Sequence, residues 1–229
     1  MNERVKTKRR YNSPRRREQA AATRSEILDA AQRLFEQEGY AATTMAAIAT
    51  EAGVALKTVY VVFETKSGVL RALWHLLLRG DEGEAPVAER AWYRMVLEER
   101  DPERQLRLNA SNSRMVKQRA GALLGVIRSA APADPAIETL WRRIQADFYD
   151  VQRPIVEALQ ARKALRPGLD VTRATDILWT LNHPDVWHLL VGERRWTPEQ
   201  YEQWFGDTTC SQLLEPQPRQ KPPRAPPDD

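Results

Sequence analysis

A chain of 229 residues that is 42% apolar and carries seven tryptophans has material for one large or two small cores. It holds no run approaching the ~20 apolar residues of a membrane span, its polar start is unlike a secretory signal, and its single cysteine, Cys210, forbids an intrachain disulfide or a cysteine-built metal cage. The net charge of +4 hides an asymmetry, because Met1 to Arg24 carry nine bases against two acids and the remainder is slightly acidic. These features predict a cytoplasmic protein with no membrane association and a polyanion as partner for its basic end.

Residues 1–22 lack apolar periodicity and read as a disordered basic arm. From Thr23 the pattern changes. Ile27, Leu28, Ala31, Leu34 and Phe35 mark an amphipathic helix that Gly39 ends. Met45, Ile48, Ala49 and Ala52 share one face of a short second helix capped by Thr43 or Thr44, and Gly53 suits the left-handed exit from it. Val54 then plugs the turn before a third helix, Leu56 to Phe63, with Val59 and Phe63 on its inner face. Lys57, Thr58, Tyr60 and Val61 look elsewhere. Residues 23–65 thus form a helix-turn-helix unit.

Thr65 caps a fourth helix whose Val69, Leu70, Leu73, Trp74 and Leu77 are too apolar to stand alone, so 66–80 reads as a connecting helix. Asp81 to Pro86 is a hinge by composition. Helices follow over Val87–Glu99, Glu103–Lys117 and Gln118–Ala130. Asp134–Arg162 carries Ile137, Trp141, Ile144, Phe148, Val151, Ile155 and Leu159 at near-heptad spacing, and Pro154 is expected to kink this helix rather than end it. Val171–Leu181 and Pro184–Val191 come next, separated at Asn182-His183-Pro184, and Thr197-Pro198 opens the last helix. Residues 66–214 therefore make a second helical domain. Residues 215–229 are a proline-rich tail, expected to be disordered. With no strand and no repeat, the fold class is all-α.

The stretch AAQRLFEQEGYAATTMAAIATEAGVALKTVYVVFETKSGVLRAL resembles the DNA-binding domain of the TetR family of bacterial regulators over about Ser25 to Leu73. The elements arrive in order: the LF and GY that end the first helix, the threonine-capped second helix, AGV, TVY, a phenylalanine, and a lysine opening the fourth. The resemblance implies a homodimer, most readily a repressor, reading a palindromic double-stranded DNA operator under control of a small-molecule effector. Carried over at matching positions, Thr44, Thr58, Tyr60 and Lys66 are phosphate or groove contacts, and Leu56, Lys57 and Val61 read bases. Arg15, Arg16 and Arg17 of the arm add backbone or minor-groove contacts. Two departures stand out. Ala55 replaces the capping hydroxyl usual before the third helix, and Gly68 replaces an acidic residue.

Aromatic and polar residues shared between the later helices nominate an effector pocket of Trp92, Met95, Asn109, Asn112, Trp141, Gln145, Phe148 and Trp179. An effector there is expected to shift the fourth helix, with Leu70 to Leu77 passing the motion to the recognition helix. Apolar residues late in the chain nominate a dimer interface of Ile177, Leu178, Leu181, Trp187, Leu190, Tyr201, Trp204, Phe205 and Leu213. No enzyme is expected, nor any metal or cofactor. His75, His183 and His188 lack the spacing of helical metal pairs, no nucleotide-binding or hydrolase fingerprint is present, and Asp147 with Asp150 reads as solvated charge. A ligand-independent architectural DNA binder remains an alternative, and a helical enzyme a more distant one. Deleting Met1 to Arg17 removes eight bases and one acid. We expect this to weaken DNA binding on every sequence and to flatten its salt dependence by about 0.9 log units per lost phosphate contact. An unchanged salt slope in binding isotherms would make the arm a bystander.

Overall fold

The computed structural model describes residues 14–80 and 86–215. The expectations for residues 1–13, for the hinge residues 81–85 and for the tail from 216 onward lie outside the described residues. The fold is all-α, and among the described residues the only extended pairing noted is an isolated antiparallel bridge between Leu165 and Leu214. No single described helix is long and apolar enough to cross a membrane. The chain divides into two compact units, one formed by the chain up to Leu76 with Ala122–Leu140, the other by Leu77–Gly121 with the chain from Trp141 onward.

The first unit contains α1 (Pro14–Ala42), α2 (Met45–Glu51), α3 (Leu56–Phe63) and most of α4 (Lys66–Arg79), together with the end of α6 (Pro102–Ala130) and the start of α7 (Pro135–Asp150). Ile27, Leu28, Phe35, Ile48, Val59 and Leu70 are fully or almost fully buried in it. Helix α1 starts nine residues before Thr23, so 14–22 is helical and not part of a disordered arm. The reason is local. Proline fits the first turn of a helix, and Arg, Glu, Gln and Ala are strong helix formers that need no apolar stripe while they stay exposed. Gly39 ends the regular helix at φ 79°, a conformation that favours glycine.

The second unit is built from α5 (Ala91–Glu98), the first two-thirds of α6, the rest of α7, α8 (Arg153–Ala161), α9 (Val171–Leu181), α10 (Pro184–Trp187) with a π-helical turn over His188–Glu193, and α11 (Pro198–Leu213). A full capping box opens α11. Thr197 accepts from the Gln200 amide while the Gln200 side chain accepts from the Thr197 amide. Tyr93, Val96, Leu106, Ile155, Leu159 and Leu178 form the core with Tyr201, Phe205 and Leu213.

Three sequence expectations change here. The predicted boundary at Lys117 does not exist, and α6 runs unbroken for 29 residues. Pro154 separates two helices instead of kinking one: α7 ends at Asp150 and α8 begins at Arg153, with the proline in its first turn. Proline offers no N–H to a continuing helix, and the chain tightens just before it, with the Gln152 amide donating to the Tyr149 carbonyl at 3.0 Å. The predicted helix from Val87 is likewise broken at extended Arg90, between a 3-10 turn and α5.

The dimer expectation also changes. Leu178, Tyr201, Phe205 and Leu213 are completely buried within the unit, so they belong to its own core and present nothing to a second copy. Ile177, Leu181, Trp187, Leu190 and Trp204 are only partly buried.

Three backbone carbonyls near the end of α1 converge on one ammonium group. Lys66 Nζ, at the first residue of α4, donates to the Tyr40 carbonyl at 2.7 Å, the Thr43 carbonyl at 2.9 Å and the Ala41 carbonyl at 3.5 Å, and lies 4.2 Å from the centroid of the Tyr40 ring. The Tyr40 hydroxyl in turn donates to Asp134 at 2.8 Å, and Asp134 caps α7 by accepting from the Ala136 amide at 2.9 Å. Burial raises the Tyr40 pKa, with the Asp134 hydrogen bond adding to it, and that same bond is the main cause holding the Asp134 carboxyl below its usual range. We expect Lys66→Met to cost about 1–3 kcal/mol, because it leaves those carbonyls without a donor. A denaturant titration should show a lower midpoint with an unchanged slope.

Candidate nucleic-acid interface and effector site

Helices α2 and α3 are too short to be stable alone, at seven and eight residues. Their ends and buried faces hold them in place. Thr44 caps α2 by accepting from the Ala47 amide at 3.0 Å. Gly53 turns the chain at φ 67° with open space around it, and the two helices are bent 113° from one another. That angle falls in the range of a DNA-reading helix-turn-helix.

Val59 and Phe63 pin α3 into the unit from below, where the Arg24 guanidinium lies 5.0 Å from the Phe63 ring centroid. The opposite face is open. Leu56, Lys57, Tyr60 and Val61 are exposed, Val61 at 73%, and Thr58 is half-buried beside them. An eight-residue helix that turns a leucine, a tyrosine and a valine outward leaves apolar surface in water that its own unit does not use. Arg15, Arg16 and Arg17 are exposed in the first turns of α1. Lys66 does not join this surface. Its ammonium is committed to the carbonyls of Tyr40 and Thr43, so it fixes the start of α4 instead of contacting a phosphate.

Both departures from the family pattern have structural counterparts. Ala55 occupies the cap position of α3 and supplies no side-chain hydrogen bond. At Gly68 a β-carbon would stand 2.3 Å from the Phe63 carbonyl oxygen, so this chain path excludes any larger residue. The tightness comes from the joint between α3 and α4. Glu64 sits at φ 61°, ψ −48°, and the Thr65 amide donates back to the Phe63 carbonyl at 2.6 Å, closing a strained three-residue turn. Thr65 then caps α4, its hydroxyl accepting from the Gly68 amide at 3.0 Å.

In the second unit the nominated pocket residues separate into groups. Trp141, Gln145 and Trp179 gather around His183: both indoles meet the imidazole edge to face, at centroid distances of 6.5 and 5.0 Å, and the Gln145 amide is 2.7 Å from its Nε2. Phe148 lies against Lys117, with Nζ 5.5 Å from its ring centroid. Asn109 meets Gln152 at 3.5 Å, and Asn112 donates to the Trp92 carbonyl at 2.7 Å, so both are tied to the protein's own scaffold. Met95 is 58% exposed and lines no interior site; on the short helix α5 the buried face belongs to Tyr93 and Val96. Asp147 pairs with Arg143 on the exposed side of α7.

Sequence reasoning missed Lys117. It is 3% exposed, and its ammonium donates to Ser113 Oγ at 2.6 Å, the Asn182 carbonyl at 2.9 Å and Tyr201 Oη at 3.0 Å, with Asn182 Oδ1 close by. Burial pushes its pKa well below the usual lysine range. The signal was present, since Lys117 lies on the buried stripe of α6 with Ala110, Ser113, Ala120 and Leu124. Cys210 needs no special role. Burial raises its thiol to about 11, so it is a neutral thiol at physiological pH.

The model for bacterial regulatory proteins of the tetR family matches residues 27–73. Two transcriptional regulators are similar in sequence. The HTH-type transcriptional regulator AcrR of Shigella flexneri is 40% identical over 60 residues, covering 26% of this chain and 28% of that protein. The probable HTH-type transcriptional regulator ArpR of Pseudomonas putida is 30% identical over 166 residues, covering 70% of this chain and 76% of ArpR. Among solved structures, NalD, the secondary repressor of the MexAB-OprM multidrug efflux pump in Pseudomonas aeruginosa, superposes with a TM-score of 0.66 at 20% identity, covering 86% of this chain and 98% of NalD. A SmeT–triclosan complex gives 0.66 at 20% identity, covering 90% of this chain and all of SmeT.

The uncapped start of α3 gives a direct expectation. Ala55→Ser supplies an acceptor for a free N–H of the first turn and should raise stability by about 0.5–2 kcal/mol. Equilibrium unfolding would show it as a higher midpoint, and no gain would mean that the backbone at residue 55 cannot present the hydroxyl.

Proposed function

The chain belongs to the tetR family of bacterial regulatory proteins, which are DNA-binding transcriptional regulators, and from that premise we propose that it is a ligand-responsive homodimeric repressor of a palindromic operator. The observation that carries the reading is the outward face of α3. Leu56, Lys57, Tyr60 and Val61 are exposed on a helix whose Val59 and Phe63 are buried, and this face opens beyond a 113° turn. In this reading Lys57 bonds guanine acceptors, and Leu56 and Val61 touch thymine methyl groups. Thr44, Thr58 and Tyr60 hold phosphates, with Arg15, Arg16 and Arg17 supplying sequence-independent attraction. The pairing surface uses the partly exposed Ile177, Leu181, Trp187, Leu190 and Trp204. Repression is supported by the likeness to NalD, and response to a small molecule by the likeness to SmeT with triclosan bound.

Selection of bound fragments from random DNA should recover two inverted half-sites about one helical turn apart, read by a species that sediments as a dimer. Lys57→Ala should change the preferred bases and leave binding to unrelated DNA nearly intact. Recovery of no consensus, or a monomer at micromolar concentration, would refute the dimeric operator-binding reading.

A further inference from the structure

Lys117 places an ionisable amine inside the second unit with no carboxylate beside it among the described residues. Its neighbours are neutral oxygens from Ser113, Asn182 and Tyr201, and the faces of Phe148, Tyr201 and Phe205, whose centroids lie 5.1–5.9 Å away. Asn182 is also the C-cap of α9, so the negative end of that helix faces the ammonium. A helix end offsets about half a charge, and neutral oxygens solvate a charge without cancelling it. Among the described residues no carboxylate pairs with Lys117, and burial is the whole cause of its lowered pKa.

The residue after Asn182, His183, gathers two side chains that each carry a buried polar atom without a hydrogen-bond partner. Trp179 Nε1 and the Oε1 end of the Gln145 amide are buried and form no hydrogen bond within the protein. Hydrogen-bond logic makes both of them donors. His183 Nδ1 accepts from the Asp185 amide at 3.1 Å, so the neutral ring carries its proton on Nε2. A nitrogen of Gln145 cannot face that proton at 2.7 Å, and the amide therefore meets it with oxygen, which turns its NH2 toward the unpartnered position. His183 follows Asn182 directly, and Trp179 packs on the His183 ring at 5.0 Å, so the indole donor, the amide donor and the cation cluster around one helix end. Every unsatisfied feature of this cluster asks for an acceptor or a negative charge, and its walls are aromatic.

We propose that the effector of this regulator is an organic anion, an acidic group on an aromatic or apolar body, whose charge is met by Lys117 and whose oxygens accept from Trp179 and Gln145. The inference rests on the ligand-responsive reading above and gives that ligand its chemical class. Arrival of an anion would favour the charged form of the lysine, which burial alone disfavours.

The test uses 2-naphthoate and its neutral isostere 2-naphthamide on the full-length protein, following tryptophan fluorescence, with binding to the selected operator measured in parallel. Naphthoate should bind at least ~10-fold tighter than the amide, the scale of one charge-assisted hydrogen bond. Lys117→Met should bring that ratio to about one. Trp179→Phe, which removes one donor and keeps the ring volume close, should weaken naphthoate ~10-fold and serves if the lysine variant does not fold. Equal binding of the two probes, binding of neither, or a naphthoate preference that survives both substitutions would overturn the anionic assignment. Naphthoate that binds through these residues without changing operator affinity would uphold the site's chemistry and overturn ligand control. Operator release by the amide as readily as by the acid would uphold ligand control and overturn the anion.

Discussion

A single ammonium group holds together the part of the chain that reads DNA. Helices of seven and eight residues cannot persist in water on their own, and α2 and α3 gain their order from packing and from fixed ends. Lys66, the first residue of α4, fixes the frame beside them by collecting carbonyls at the end of α1 and at Thr43, just before α2. The ring of Tyr40 lies beneath the ammonium, and its hydroxyl extends the network to the carboxylate that caps α7. Three helices of one unit, α1, α4 and α7, therefore share a short chain of polar contacts beside its apolar core.

The second unit treats its lysine differently. Lys66 is only partly buried, and the oxygens it meets are carbonyls at a helix end. Lys117 is enclosed by rings and neutral dipoles, and an enclosed charge without a counter-charge is among the more costly things a protein interior can hold. Surface charge, by contrast, is spent in ordinary ways: Arg107 bridges Glu103 and Asp207, and Arg114 reaches Glu202, tying α6 to α11 through exposed or partly exposed pairs worth little individually. The contrast separates a buried amine that has no carboxylate partner among the described residues from surface charges that lace helices together.

Much of the first unit was legible in the sequence because it is set by short-range chemistry. Gly39, Gly53, Thr44 and Thr65 occupy positions that few other residues serve, and the alternation of Val59 and Phe63 with exposed neighbours gives the face of α3 directly. The start of α1 was not legible by periodicity, since an exposed helix of Arg, Gln and Ala has no apolar stripe. The core of the second unit was harder for a different reason. Tyr201, Phe205 and Leu213 look the same to a sequence whether they bury against their own chain or against a second copy, and only packing assigned them to the former. Lys117 was hidden by a sound general rule, that lysine belongs to solvent, which turned a core position into an apparent helix boundary. Of the groups that carry the proposed effector chemistry, Trp179 and Gln145 were nominated from sequence, whereas His183 and Asn182, which link them to Lys117, sit in a junction read only as a break.

The joint at Glu64 has a mechanical side. A residue held at positive φ with a three-residue turn, followed by a glycine whose neighbour carbonyl leaves no space for a β-carbon, is a connection with few accessible angles. Rotation applied to α4 is then not absorbed where it meets α3. A helix of 14 residues is about 21 Å long, so a tilt of ~10° displaces its end by nearly 4 Å, about a third of the width of a major groove. Stiffness at this corner ties the direction of α3 to that of α4, and the strain stored at Glu64 is the cost of that rigidity.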